Sequence, residues 1–110
     1  MEMVGFSDWE KCRFVVGKIL SVEDHPKADK LYIVEVDLGV EVRKLVAGLK
    51  KHYSKEELVG KNVIVFANLE PAVIRGVKSE GMLLASVNDD ESSVVLLTPE
   101  KDIEVGSRIR

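Results

Sequence analysis

The side chains of this chain best suited to a chemical role are cations that come in pairs. Lys27 and Lys30, Arg43 and Lys44, Lys50 and Lys51, and Arg75 and Lys78 stand at turns and strand ends. Cations displayed in this way suit phosphate, whereas covalent catalysis needs a nucleophile with a base and an orienting group beside it. Ser79, in SEGM, has no GxSxG elbow around it, and no GxxxxGK[ST] loop is present to cradle a nucleotide phosphate. Asp89-Asp90-Glu91 lacks the ligand alternation of a calcium loop and reads as a solvated acidic turn. His25 and His52 are far apart and have no cysteine partners, so their spacing makes no zinc site. The single cysteine, Cys12, excludes an internal disulfide and reads as a small structural thiol. The chain is therefore expected to be no enzyme and to use no metal or cofactor.

The elements that must position the cations are mostly strands. FVVGKILSVEDHP is a β-branched run that ends in a turn at His25-Pro26. LYIVEVDLG alternates, with Tyr32, Val34, Val36 and Leu38 on one face and Glu35 and Asp37 on the other. Gly39 ends it, and VRKLVAGL follows after a turn of two or three residues, which predicts a hairpin. Ser54 and Glu57 form a capping box, and Gly60 stops the helix after about a turn and a half. NVIVFANL reads as a strand buried on both faces and ended by Pro71. GMLLASV predicts one further strand, and SVVLLTP another beyond the Asn88-Asp89-Asp90 turn. Before all of these, Ser7 with Glu10 suggests a capped helix over Ser7–Cys12. Five strands with a short helix between the third and fourth is the OB-fold pattern, an all-β Greek-key barrel, although pattern alone leaves an SH3-like barrel or a small sandwich open.

The 110 residues allow one domain, and 45% hydrophobic residues allow a true core. No apolar stretch approaches the roughly 20 residues that span a bilayer, and MEMVGFSDWEKC has acids where a signal peptide needs basic and apolar stretches. A cytoplasmic protein with no membrane partner is expected. The net charge of −3 first argues against a polyanionic partner. However, residues 88–104 carry six acids against one base, so that stretch holds −5 and the remainder +2. Screening over about 10 Å makes local charge matter more than the total. Aromatics are only 5%, too few for a base-stacking groove, which favours a folded RNA gripped through phosphate and shape.

HPKADKLYIVEVDLG, VAGLKKHYSKEELVGKNVIVFANLEPAVIRGVKSEGMLLAS and LLTPEKDIEVGSRIR, in that order, resemble the tRNA-binding domain family. The family includes C-terminal extensions of methionyl-tRNA synthetases, free-standing tRNA-binding proteins and a cytokine-like domain of multisynthetase complexes. The resemblance covers roughly Phe14 to Arg110 and implies an OB-fold that binds the outer corner of tRNA with little sequence dependence. It implies contacts from Lys30, Asn68, Arg75, Ser79 and Met82, to which Lys78 is added as a neighbouring cation. Lys30 and Arg75 can pair with phosphate, Asn68 and Ser79 can hydrogen-bond, and Met82 can make an adaptable apolar contact. Core packing for Met82 and a turn-stabilising role for Asn68 remain open readings.

The chain departs from the family where many members open strand one with Asp-x-Arg-Val-Gly: Arg13 replaces the acid and Val15 the arginine. Glu80 and Val73 stand where glutamine and a basic residue are common. A weaker or differently centred site is expected. Beginning at Met1 and ending with the barrel, the chain reads as free-standing, assisting a methionyl-type synthetase in trans. A chaperone-like or synthetase-assembly role is the alternative. Residues 1–12, with Met3, Val4, Phe6 and Trp9, lie outside the barrel pattern of residues 13–110. With Val94–Leu97 they are expected to form a homodimer interface, or else to fold over one end of their own barrel.

Overall fold

The computed structural model describes all residues from 1 to 110. Helix α1 (Phe6–Lys11) precedes strands β1 (Phe14–Asp24), β2 (Tyr32–Asp37) and β3 (Val42–Ala47). Helix α2 (Lys55–Leu58) leads to β4 (Asn62–Phe66), β5 (Ala72–Ile74), β6 (Val77–Ser79), β7 (Met82–Leu83), β8 (Ala85–Val87) and β9 (Val94–Leu96). Five strands form one antiparallel sheet in the order β3-β2-β1-β4-β7, while β5–β6 and β8–β9 are separate two-stranded ribbons. This is the all-β OB-type barrel, with its short helix between β3 and β4.

β1 serves two partners. Its first half pairs with β4 and its second with β2, and the register slips between Ile19 and Ser21, a bulge that lets the strand bend around the barrel. Gly17 sits near the bend, where a Cβ would lie 2.6 Å from Val36 Cγ1, so no larger residue fits without displacement. The alternation read in β2 holds: Tyr32, Val34 and Val36 are buried. Both faces of β4 are covered as well. Val63 and Val65 join the main core, and Ile64 is buried opposite Val16 on the other side. The closing segment runs back along β1, with Val16 N donating to Ser107 O (2.9 Å) and Gly106 N to Val16 O (2.7 Å).

The barrel closes where the free edge of β3 meets residues 79–81. Glu80 N donates to Lys44 O (2.9 Å), and the Ser79 hydroxyl accepts from Val46 N (2.9 Å). A side chain thus supplies one of the hydrogen bonds that a regular strand pair would take from backbone.

α2 follows the sequence reading. Ser54 and Glu57 make the reciprocal capping box, Val59 is the C-cap, and Gly60 turns left-handed after it. α1 does not. Its N-cap is Gly5, whose carbonyl accepts from Trp9 N, and Ser7 lies inside the helix and caps nothing. GMLLASV is two strands, because the chain leaves β4 after Leu84 N bonds Ile64 O and then pairs with β9. The β5–β6 hairpin has no counterpart in the sequence reading, which placed no element between Pro71 and Gly81.

The N-terminal segment lies against its own barrel. The Trp9 ring is 5.4 Å from Phe14, which is 4.7 Å from Phe66. Arg108 Nη2 donates to Glu10 O (3.2 Å), and Cys12 caps a helix carbonyl through its thiol. Met1, Met3, Val4 and Phe6 stay exposed, as do Val95 and Leu97 on β9 and beyond it.

Candidate nucleic-acid interface

The β5–β6 hairpin turns through Arg75-Gly76, and both residues have positive φ (52° and 89°). A two-residue loop of this kind matches the natural twist of a hairpin, and glycine takes the second position without strain. Arginine in the left-handed region is uncommon and costs conformational energy, so the surroundings must hold it there. They do so through the turn after β1. Arg75 Nη2 donates to Lys27 O (3.4 Å), and the buried ring of His25 contacts Ile74 O (3.0 Å). The hairpin therefore lies on the 25–31 turn. This brings Arg75 to Lys27, with Lys30 on the same turn and Lys78 on the same hairpin.

The four cationic pairs of the sequence have different fates. Lys50 and Lys55 both hold Asp24 (3.1 and 3.0 Å), and these contacts, Lys55 first, keep its carboxyl below the usual range. Arg43 is bonded to Glu41, to Ala67 O and to Glu80 O, and Glu41 chiefly raises its pKa. Lys27, Lys30, Lys44, Arg75 and Lys78 are exposed and have no carboxylate within 4.0 Å. Their positive potential is unspent.

Of the contact residues expected from sequence, Lys30, Arg75 and Lys78 share this region. Asn68 and Met82 belong to the β4–β7 end of the barrel. Met82 is 45% exposed, which removes the core reading. Asn68 is exposed but already tied: its Oδ1 accepts from Arg13 N (2.7 Å) and its Nδ2 donates to Lys11 O (2.6 Å). The turn-stabilising reading of Asn68 therefore holds in altered form, as a clasp between the end of β4 and the start of β1. Ser79 needs correction as a direct contact. It is 4% exposed, its hydroxyl accepts from Val46 N and donates to Gly81 O (3.1 Å), and its place is the barrel seam.

Beside Asn68 a cavity of about 540 Å³ opens at the barrel end, bordered by Arg13, Arg43, Gly39 and Ser107. Val15 is buried beneath it, and the exposed Arg13, just before β1, lines the same hollow. Val73, 72% exposed, pairs with Lys78 across the β5–β6 hairpin, while Glu80 at the base of that hairpin faces Arg43.

The aromatic rings offer little stacking surface here. Tyr32 is buried with its hydroxyl donating to Tyr53 O (2.8 Å), the Tyr53 hydroxyl accepts from Leu96 N (3.1 Å), and Phe14 and Phe66 pack on each other.

By fold this is an OB-type barrel that displays one group of unpaired cations, on the 25–31 turn and the β5–β6 hairpin. Residues 14–108 match a family model described as "Putative tRNA binding domain". The chain belongs to that tRNA-binding domain family. It is 59% identical over 110 residues to part of the methionine–tRNA ligase of Pyrococcus horikoshii, and 51% identical to part of that of Methanocaldococcus jannaschii. It spans only 15% and 17% of the lengths of those enzymes. Its fold matches the crystal structure of a MetRS related protein from Pyrococcus horikoshii with a TM-score of 0.93 and 33% identity, covering 100% of both chains. It also matches the chaperone CsaA from Bacillus anthracis with a TM-score of 0.89 and 27% identity, covering 99% of this chain and 100% of that one.

Proposed function

We propose that this chain binds folded tRNA by shape and backbone charge, performs no chemistry on it, and supplies tRNA affinity in trans to a synthetase of the methionyl type. The observation that carries the reading is the cluster of exposed, unpaired cations on the 25–31 turn and the β5–β6 hairpin. Family membership and the likeness to methionine–tRNA ligases support tRNA as the polyanion and that synthetase as the partner. The absence of aromatic residues from the 25–31 turn and the β5–β6 hairpin supports a grip on phosphates over a grip on unstacked bases. A binding module acts by raising effective concentration, so it needs no catalytic group of its own.

The assembly proposed is a homodimer. One barrel displays only a handful of cations, and a two-fold axis doubles them. Met1, Met3, Val4 and Phe6, left in water by the single chain, are the surface such a contact would cover, together with Val95 and Leu97. The likeness to CsaA supports a second reading, in which that apolar surface serves protein clients.

Titration of folded tRNA, unfolded tRNA and duplex DNA of equal length at two salt concentrations tests the function. Folded tRNA should bind best, with an affinity that falls steeply as salt rises. Equal affinity for tRNA and duplex DNA would overturn shape reading, and salt-insensitive binding of unfolded protein would favour the second reading. The same sample, sedimented at micromolar concentration, should show the mass of two chains.

A further inference from the structure

We infer that His25 is a positioning residue: its buried imidazole latches the tip of the β5–β6 hairpin to the 25–31 turn, and so fixes Arg75 and Lys78 relative to Lys27 and Lys30. The inference deepens the tRNA-binding reading and takes its ligand from it, but the latch itself rests on geometry alone. His25 is 5% exposed and is one of only two buried polar residues in the chain, the other being Ser79. Both of its ring nitrogens are engaged. Lys27 N donates to Nδ1 (3.0 Å), so Nδ1 carries no proton and the neutral ring bears it on Nε2. Ile74 O, 3.0 Å from Nε2, can only accept, which demands the same tautomer. The turn thus sets the tautomer, and the tautomer aims the donor at the hairpin.

The hairpin is held differently at its two ends. Its base is stitched to β3 by the Ser79 hydroxyl and by Glu80 N. Its tip has only the His25 contact and the long Arg75–Lys27 carbonyl bond. That tip carries the left-handed arginine, which persists only where its surroundings over-determine it. Loss of the His25 donor therefore frees the tip while the barrel stays closed. A binding surface that reads the shape of a folded polyanion needs its cations at fixed separations, and the latch provides that.

Two variants divide the ring into its halves. His25→Asn offers an oxygen near the Nδ1 position and keeps the bond from Lys27 N, but it loses the donor to Ile74. His25→Gln reaches the Nε2 position and keeps that donor. In His25→Asn, amides of residues 74–78 should exchange at least about tenfold faster, with those of β1, β2 and β4 unchanged. The salt slope of tRNA binding should fall by about one to two units, matching the cations displaced. His25→Gln should stay near wild type in both. In a chain already carrying Arg75→Asn and Lys78→Ala, His25→Asn should cause no further loss of tRNA affinity. The latch is overturned if His25→Asn leaves the 74–78 amides protected, or if it unfolds the whole barrel, because the ring would then hold the fold and not the hairpin. Faster exchange with an unchanged salt slope overturns the positioning role. If the unaltered chain binds no tRNA, the proposed function fails, and the exchange measurement, which needs no ligand, still decides the latch.

Discussion

Two small hairpins leave the same barrel and solve the same problem in opposite ways. β5–β6 and β8–β9 each have strands of three residues, and each carries one charged residue in the left-handed region, Arg75 and Glu91. The first turns in two residues and has no side chain within its loop to satisfy it, so it borrows a donor from His25 on the barrel. The second loops from Asn88 to Ser93 and satisfies itself. Asn88 Oδ1 accepts from Ser93 N (2.9 Å), and Asp90 Oδ1 accepts from Ser92 N (3.1 Å) and from Ser92 Oγ (2.7 Å). The Ser92 side-chain bond, and then its backbone bond, hold the Asp90 carboxyl below its usual range. That contribution to loop order is present above the ordinary value of 3.8 and is lost as pH falls through the depressed one, so at neutral pH the loop is fully formed and anionic. The short loop is thus registered to the barrel and cationic, and the long one is autonomous and anionic. Loop length decides whether a tip is positioned by the fold or only by itself.

The contrast is tested most severely by removing the cations of the first hairpin. Arg75→Asn with Lys78→Ala should lower the salt slope of tRNA binding by about two units and leave the melting temperature nearly unchanged. Asparagine tolerates the left-handed turn, so charge is lost without the shape. An unchanged slope would move the contact surface off this hairpin.

A smaller effect, on stability instead of binding, should follow Ser79→Ala. It strips Val46 N of its partner at the barrel seam, and a donor left unsatisfied away from water costs about 1–3 kcal/mol. Denaturant unfolding should show that loss while the salt slope per bound tRNA stays at the wild-type value. A lost slope would return Ser79 to the contact set.

The smallest effect belongs to the acidic loop. Asp89→Asn with Asp90→Asn should raise tRNA affinity less than about threefold at low salt and not at all at high salt, because charges beyond about 10 Å are screened. The amide oxygen introduced at position 90 would keep an acceptor for Ser92, so the loop should hold. A tenfold gain at physiological salt would show that the acidic hairpin borders the site.

Much of this was legible from local pattern. The alternation of Tyr32, Val34 and Val36, the Ser54–Glu57 box and the doubly apolar β4 each predict an element from neighbours in sequence, and each is found. The β5–β6 hairpin was missed because its strands are only three residues long and its turn is Arg-Gly, not the Asn-Gly or Asp-Gly that marks such loops. Ser7 misled because a serine three residues before a glutamate is also an ordinary sequence, and the Gly5 carbonyl made the first helical bonds instead.

The sequence by itself determined the main strands, the capped helix among them and the inventory of cations, because periodicity and capping are short-range properties that a strand or helix carries with it. Which cations remain available was decided only in three dimensions. Lys50 and Lys55 are taken by Asp24, and Arg43 by Glu41 and two carbonyls, while Lys27, Lys30, Arg75 and Lys78 are left free. The roles of Ser79 and His25 were decided there too. The hydroxyl of Ser79 meets an amide 33 residues away, and the ring of His25 meets a carbonyl 49 residues away. A hydrogen bond acts over about 3 Å, so its partner is set by which strands the closed barrel brings side by side, and no spacing along the chain encodes that distance.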